Sequence, residues 1–317
     1  MLESQSRACG VTRRQVVVAI TCTVCLFASA LQARASNPRQ ALERKLRVIA
    51  AQFPGKLAVA GVALKSGAHF GLNANRQVPT ASVIKLPVMV EAFYQMQEGK
   101  LHWSQVAPLT AWDQVPGSGI LQFFARTPAP RLTLGDAITL MIDLSDNTAA
   151  NMVIRAVGIG AVNARMRRLG LRHTTLYAYV FHAVRPRSAG EKKFGLGETT
   201  PADMVRLLTM IEEHKILTPG ACDHMLKILT DQQDNNAFPR YMAAFPAVSW
   251  AHKTGALDAV RNDVGVATTP AGPIVLAGFA YGFADHQWTA QNPGLLVLAH
   301  VAKAVIGQFV APAARKP

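Results

Sequence analysis

The sequence predicts an α/β protein of two lobes, and three observations carry that prediction. Strand-like runs occur early and return late, while the long stretch between them reads as mostly helical. Half of the 317 residues are hydrophobic and 16% are charged, a composition that can bury a sizeable core and excludes long disorder, coiled coil or collagen as a whole-chain description. If the early and late strands share one sheet, the helical segment is an insertion between them. The chain then forms an α/β lobe from its two ends and an all-α lobe from its middle.

The elements follow in order. Leu42, Leu46 and Ile49 recur near helical spacing and predict an amphipathic helix over 37–52. Leu57 to Leu64 and Phe70 to Leu72 read as strands around the turn Lys65-Ser66-Gly67. Helix signals follow at Leu134 to Met141, Ser145 to Val157, Pro201 to His214 and Ala221 to Leu229. Thr200 is a cap candidate for the third of these, with Pro201 in its first turn. Strands are expected again at Ala247 to Lys253, Val264 to Thr268 and Ile274 to Tyr281, and a helix over Leu295 to Ile306 closes the chain. The lobes then run about 36–79 with 233–317, and about 80–232.

Charge alone points elsewhere. With 33 Lys+Arg against 19 Asp+Glu the chain carries +14, which on composition suggests nucleic acid or an anionic surface. The N-terminus changes that reading. Arg7, Arg13 and Arg14 precede an apolar run from Val16 to Leu31, and Ala33-Arg34-Ala35 offers a small-x-small cleavage site. The run is shorter than the ~20 residues of an ordinary spanning helix. Residues 1–35 are expected to be a signal peptide, by a Sec or twin-arginine route, leaving a periplasmic or secreted protein with no stable membrane span. Removing them leaves 29 basic and 18 acidic side chains. It also removes Cys9, Cys22 and Cys25, so Cys222 remains alone and no intramolecular disulfide is expected. Cys222 falls in a predicted helix and reads as a buried, unreactive residue.

Three short motifs carry the chemistry. Ser82-Val83-Ile84-Lys85 puts a hydroxyl and an amine about one helical turn apart. A serine needs a base to become a nucleophile, and a lysine with a depressed pKa can serve. Ser145-Asp146-Asn147 opens a helix, and alone it reads as a cap. Lys253-Thr254-Gly255 ends a late strand, and alone it reads as a solvated strand end before a turn glycine. Lys65-Ser66-Gly67 is an equally good triad of the third kind, but it precedes Ser82 and sits in a hairpin turn.

In this order and at these distances the three motifs resemble the S-x-x-K, S-D-N and K-T-G signatures of the penicillin-recognising serine hydrolases, and most closely the class A β-lactamases. The resemblance covers nearly the whole chain after the signal. It implies a β-lactamase-like fold, an antiparallel sheet flanked by the terminal helices plus an all-α lobe. It further implies that Ser82 is acylated, that Lys85 helps deprotonate it, and that Ser145 relays a proton to the departing lactam nitrogen. Asn147 would bind the substrate's side-chain amide. Lys253, Thr254 and Gly255, with Arg261, would bind its carboxylate, and the backbone N–H groups of Ser82 and Ala256 would form the oxyanion hole.

One expected part is missing. The family deacylates with a glutamate in an E-x-x-L-N motif. Between Thr148 and Thr200 the only carboxylates are Glu191 and Glu198, neither followed by Leu-Asn. Family spacing lands on Phe181 to Val184, where His182 is the one ordinary general base. Glu191 reads as pairing with its neighbouring lysines on a solvated loop. The expected activity is therefore hydrolysis of β-lactams with slow turnover. A D-alanyl-D-alanine peptidase or esterase acting on peptidoglycan stem peptides, and a non-turnover penicillin-binding sensor, stay open. No metal or cofactor is expected: the nine histidines form no H-x-x-x-H pair, and no phosphate-binding glycine loop is present. Neither nucleic acid nor a partner subunit is expected.

Overall fold

The computed structural model describes residues 38–124, 130–183 and 186–311. The expected signal peptide and its cysteines lie outside them. The chain divides into a unit 1–41, whose described part is the opening turn of the first helix, and a unit 42–317 that holds the rest.

Helix α1 spans Pro38–Ala51 and buries Leu42 and Leu46, one turn apart. The hairpin of β1 (Lys56–Ala63) and β2 (Ala68–Leu72) follows. The middle of the chain supplies α2 (Lys85–Gln97), α3 (Leu134–Asp143), α4 (Asn147–Val157), α5 (Ile159–Arg168), α6 (Ala189–Phe194), α7 (Pro201–Glu212) and α8 (Pro219–Thr230). Strands β3 (Ser249–Leu257), β4 (Val260–Thr268) and β5 (Ile274–Tyr281) precede α9 (Pro293–Phe309). The five strands form one antiparallel sheet in the order β2-β1-β5-β4-β3. Early and late strands thus share a sheet, as the sequence predicts, with β3 at its edge.

Both faces of that sheet are covered. Along β1, Ala58, Ala60 and Val62 join the core shared with the helical segment, while Leu57, Val59 and Ala63 join the core beneath α1 and α9. The same alternation holds in β5, where Val275, Ala277 and Phe279 face one way and Ile274, Leu276 and Ala280 the other. Double burial explains why these strands read as continuous apolar runs. Cys222 is fully buried in the first core, its Sγ donating to the Ile216 carbonyl at 2.7 Å.

Helix ends follow their capping residues. Thr133, Asp146, Thr200 and Thr218 each accept a backbone N–H at N3, and Pro201, Pro219 and Pro293 occupy first turns. Several boundaries depart from expectation. Helix α4 begins at Asn147 because Asp146, not Ser145, is its cap; Ser145 sits at φ 53, outside the helix. Strand β3 continues past Lys253 to Leu257, since its hairpin partner β4 reaches back to Val260, so Lys253-Thr254-Gly255 lies inside the strand. The helical stretch also holds two small sheets, 106–108 with 131–133, and 78–79 with 197–199 and 175–176. Among the described residues no helix is long and apolar enough to cross a membrane.

Candidate active site

Ser82 lies in a short 3-10 turn, Ala81–Ile84, that leads directly into α2. Ala81, just before it, is held at φ 45. Left-handed backbone in a residue other than glycine costs energy and clusters at functional sites. The turn is clamped from the sheet. Asn262 of β4 donates to the carbonyls of Pro79 at 2.9 Å and Thr80 at 3.0 Å. Gly255, opposite Asn262 in the register, comes so close that a Cβ there would stand 2.7 Å from the Thr80 oxygen and 3.0 Å from the Ser82 nitrogen. Only glycine permits that approach. Strand β3 thereby lies against the N–H of Ser82, with Ala256 the next residue along.

Lys85, at the start of α2, is completely buried. Its Nζ donates to the Ser145 carbonyl at 2.6 Å, to Asn147 Oδ1 at 2.8 Å and to Ser145 Oγ at 3.3 Å. Burial holds this amine well below the ordinary lysine pKa, and the positive charge of Lys253 lowers it further, against a smaller opposing pull from Asp146. Lys253, also fully buried, donates to Ser145 Oγ at 3.0 Å and to its neighbour's carbonyl, Thr254 O, at 2.9 Å. Burial brings it down to about 8, opposed by Asp234, Asp263 and Asp143. One serine hydroxyl therefore bridges two buried lysines. Two full positive charges on one oxygen inside the protein repel strongly, which favours an arrangement in which one amine is neutral and can accept a proton.

Asp146 builds the opposite wall. Fully buried, it accepts the N–H of Ala149 at 2.9 Å through one oxygen, and those of Ile120 at 2.7 Å and Leu121 at 2.9 Å through the other. It fixes the loop 117–121 onto the start of α4. Asn147 closes the junction, donating its N–H to Ser118 O and its Nδ2 to Pro116 O, both at 3.0 Å. Gly117-Ser118-Gly119 is thus the rim of the cleft. Gly119 at φ 95 has no room for a Cβ, which would stand 2.2 Å from the Asp146 carboxylate.

This geometry agrees with the comparison with known proteins. The model of the beta-lactamase enzyme family matches residues 41–309. The chain belongs to that family. Curated relatives include beta-lactamase PSE-4 of Pseudomonas aeruginosa, 25% identical over 142 residues, or 44% of this chain and 48% of that protein. The match spans about half the length of such relatives. Solved beta-lactamase-family folds cover more. A beta-lactamase of Sphaerobacter thermophilus superposes with a TM-score of 0.73 at 29% identity, covering 84% of this chain and 95% of that one. PBP-A superposes at 0.72 with 25% identity and the same coverage, and so does a leucine-to-glutamate mutant of PBP-A described as an acyl-enzyme complex with penicillin G.

Among beta-lactamase-family positions read from the sequence, Ser82, Lys85, Ser145, Asn147, Lys253 and Gly255 come together, with Ala256 beside them. Thr254 falls on the other face of β3 by strand alternation, opposite Asp263. Arg261 shares that covered face. Its guanidinium donates to the carbonyls of Leu257, Val260 (2.8 Å) and Gln287 (3.0 Å) and lies 4.6 Å from the Trp288 ring centroid. It is not gathered with the lysines. His182 is half-buried, stacked on Trp112 at 4.3 Å between ring centroids, with Nε2 2.9 Å from the Trp112 carbonyl. Phe181, an exposed side chain, is what lies over the rim: its ring would contact a Cβ at Gly117 at 3.6 Å, where Asn147 Nδ2 also lies close. Glu191, expected on a solvated loop with lysines, lies instead on the buried face of the short helix α6 and pairs with Arg187 at 3.0 Å. Sequence reading missed Asn262 and the pinning role of Asp146. The hairpin register counted from Lys253 would have found the first, since it sets Asn262 against Gly255.

Proposed function

We propose that this protein is an exported, monomeric serine hydrolase that is acylated on Ser82 by β-lactams and releases the opened product slowly. The observation that carries the reading is the Ser145 hydroxyl held between two buried lysines beside Ser82. In the proposed reaction neutral Lys85 takes the Ser82 proton, and Ser82 Oγ attacks the lactam carbonyl. The N–H groups of Ser82 and Ala256 receive the developing oxyanion. The C–N bond breaks as Ser145 passes a proton to the lactam nitrogen, and its hydroxyl is replenished through the lysines it bridges. Charged Lys253 holds the substrate carboxylate from its face of β3, with Thr254 on the other face. Arg261 can join them only by leaving its three carbonyls.

Deacylation needs a base that activates water. The loop that faces Asn147 offers the apolar ring of Phe181, while His182, the remaining base there, has Nε2 on a backbone carbonyl. This supports slow turnover, and it favours a second reading in which the acyl-enzyme is the functional state, as in a penicillin-binding sensor or a peptidase of stem peptides. The likeness to PBP-A points the same way. Mass spectrometry after mixing with a chromogenic cephalosporin separates the readings. Rapid return to free protein supports a β-lactamase, and a persistent adduct on Ser82 supports the sensor or peptidase. No adduct on wild type, or an unchanged one on Ser82→Ala, removes both.

A further inference from the structure

The sheet carries a second concave site, away from Ser82. The serine cleft lies against β3, at one edge of the sheet, and this cavity lies towards the other, where β1 begins and β2 ends. Its volume of about 510 Å³ suits a small molecule. The lining joins an apolar part, the buried Leu57 and half-buried Leu72, to three exposed cations, Arg47 of α1, Lys56 of β1 and Arg76 in the turn after β2. It holds no carboxylate. Tyr281 of β5, opposite Lys56 in the register, lines it as well, and its hydroxyl has no partner among the described residues.

The three cations are unpaired. Among the described residues none of them makes an ion pair or a side-chain hydrogen bond. Arg155, Arg165 and Arg187, by contrast, each pair with a buried carboxylate. The helix dipole does not account for the cluster, since its pull on cations fades within the last turn of α1, which holds no basic residue. Nor is the backbone that carries Arg76 loose. The Arg76 N–H donates to the Asn73 carbonyl, Asn73 Nδ2 to the Leu57 carbonyl, and the Ala202 N–H of α7 to the Ala74 carbonyl, each at 2.9 Å. Three like charges held around one cavity repel one another, and a bound anion turns that repulsion into attraction.

We propose that this cavity binds a phosphate ester. The guanidinium forks of Arg47 and Arg76 take the phosphate oxygens and Lys56 adds a point charge. The organic body lies on Leu57 and Leu72, with the Tyr281 hydroxyl as a hydrogen-bond partner. A free organic phosphate and the phosphate headgroup of a lipid offer this same chemistry. The cavity shares no residue with the serine cleft, so it binds its ligand whether or not Ser82 is acylated.

The test is calorimetry on the full chain at about 0.15 M salt, where distant exposed charges are screened. Phenyl phosphate should bind saturably, and more tightly than inorganic phosphate, which has no body to lay on the leucines. Arg47→Gln/Arg76→Gln should weaken it by about 10-fold or more. Arg167→Gln/Arg168→Gln removes the same charge from the end of α5 and should change it by less than about 2-fold. All four side chains are exposed, so both variants should fold as wild type does. Sedimentation with phosphatidylcholine vesicles carrying phosphatidic acid is the second arm. Vesicle binding that Arg47→Gln/Arg76→Gln abolishes makes the ligand a lipid headgroup, and phenyl phosphate binding without vesicle binding makes it a free organic phosphate. Absence of saturable binding in both arms overturns the proposal. Equal losses in the two double variants overturn it too, because they reduce the effect to net charge.

Discussion

The two walls of the cleft are built by different means. One wall, from Lys85 through Ser145 and Asn147 to Lys253, is a buried polar seam in which each named group has a hydrogen-bond partner. The other, from Trp112 to Phe124 and from Tyr177 to His182, presents exposed aromatics: Trp112, Phe123, Phe124 and Phe181. Phe181 is 67% exposed and sits at φ 58, a conformation that bulky side chains avoid. In the proposed reaction the seam serves acylation, and the aromatic wall, among the described residues, offers no carboxylate to serve hydrolysis of the ester. The contrast teaches that one fold can build two facing walls by different means, so that the two halves of the proposed cycle can be tested apart.

The sharpest way to break the comparison is to disable the seam. Lys85→Met keeps most of the buried volume but removes the base. Acylation of Ser82 by a chromogenic cephalosporin should fall by about 10²–10⁴-fold, and Ser82→Ala should give no adduct. Full acylation in Lys85→Met, followed by stopped-flow absorbance, would mean that the seam is structural only.

Next in size is conversion of the aromatic wall. Phe181→Glu places a carboxylate beside Asn147 and adds no new backbone strain, since Phe already occupies that φ. Release of the penicilloyl group should quicken by about 10-fold or more, toward the range of a positioned general base, while acylation changes little. The decay of the Ser82 adduct by mass spectrometry checks this. An adduct that persists unchanged would show that the loop, and not the missing carboxylate, limits water access.

The hinge between the walls is Asp146, which serves both. Asp146→Ala removes a helix cap and strands the N–H groups of Ile120 and Leu121. A loss of about 2–3 kcal/mol in unfolding free energy is expected, read by urea denaturation. Unchanged stability would mean that the loop 117–121 has another anchor.

How much of this was legible beforehand follows the same division. The three motifs and their order located the seam, because two of them open helices and the third lies in a strand whose apolar run is plain. Sheet strands were found through their apolar runs, though their ends were missed where pairing with β4 extended β3 past Lys253. Asn262 was not legible, because its role depends on the hairpin register and on which face its side chain takes. The aromatic wall was legible only as a gap in a pattern. Nothing in the run Tyr177 to Val184 announces that Phe181 lies over Gly117 while His182 packs away from it, since that is settled by the stacking of His182 on Trp112 some seventy positions earlier.

The smallest predicted effect concerns that histidine. A general base contributes about 10²–10⁴-fold to the step it serves, and it must reach the reacting water with a free lone pair. His182 donates its Nε2–H to the Trp112 carbonyl and lays its ring against the indole, an arrangement that anchors the loop and leaves Nδ1 as the one nitrogen with a lone pair, on a ring held at Trp112. His182→Ala should therefore alter the lifetime of the Ser82 adduct by less than about 2-fold, an effect of the size expected from loss of packing rather than of a base. A slowing of 100-fold would make His182 the deacylation base and would move the aromatic wall from the inert side of the comparison to the catalytic one.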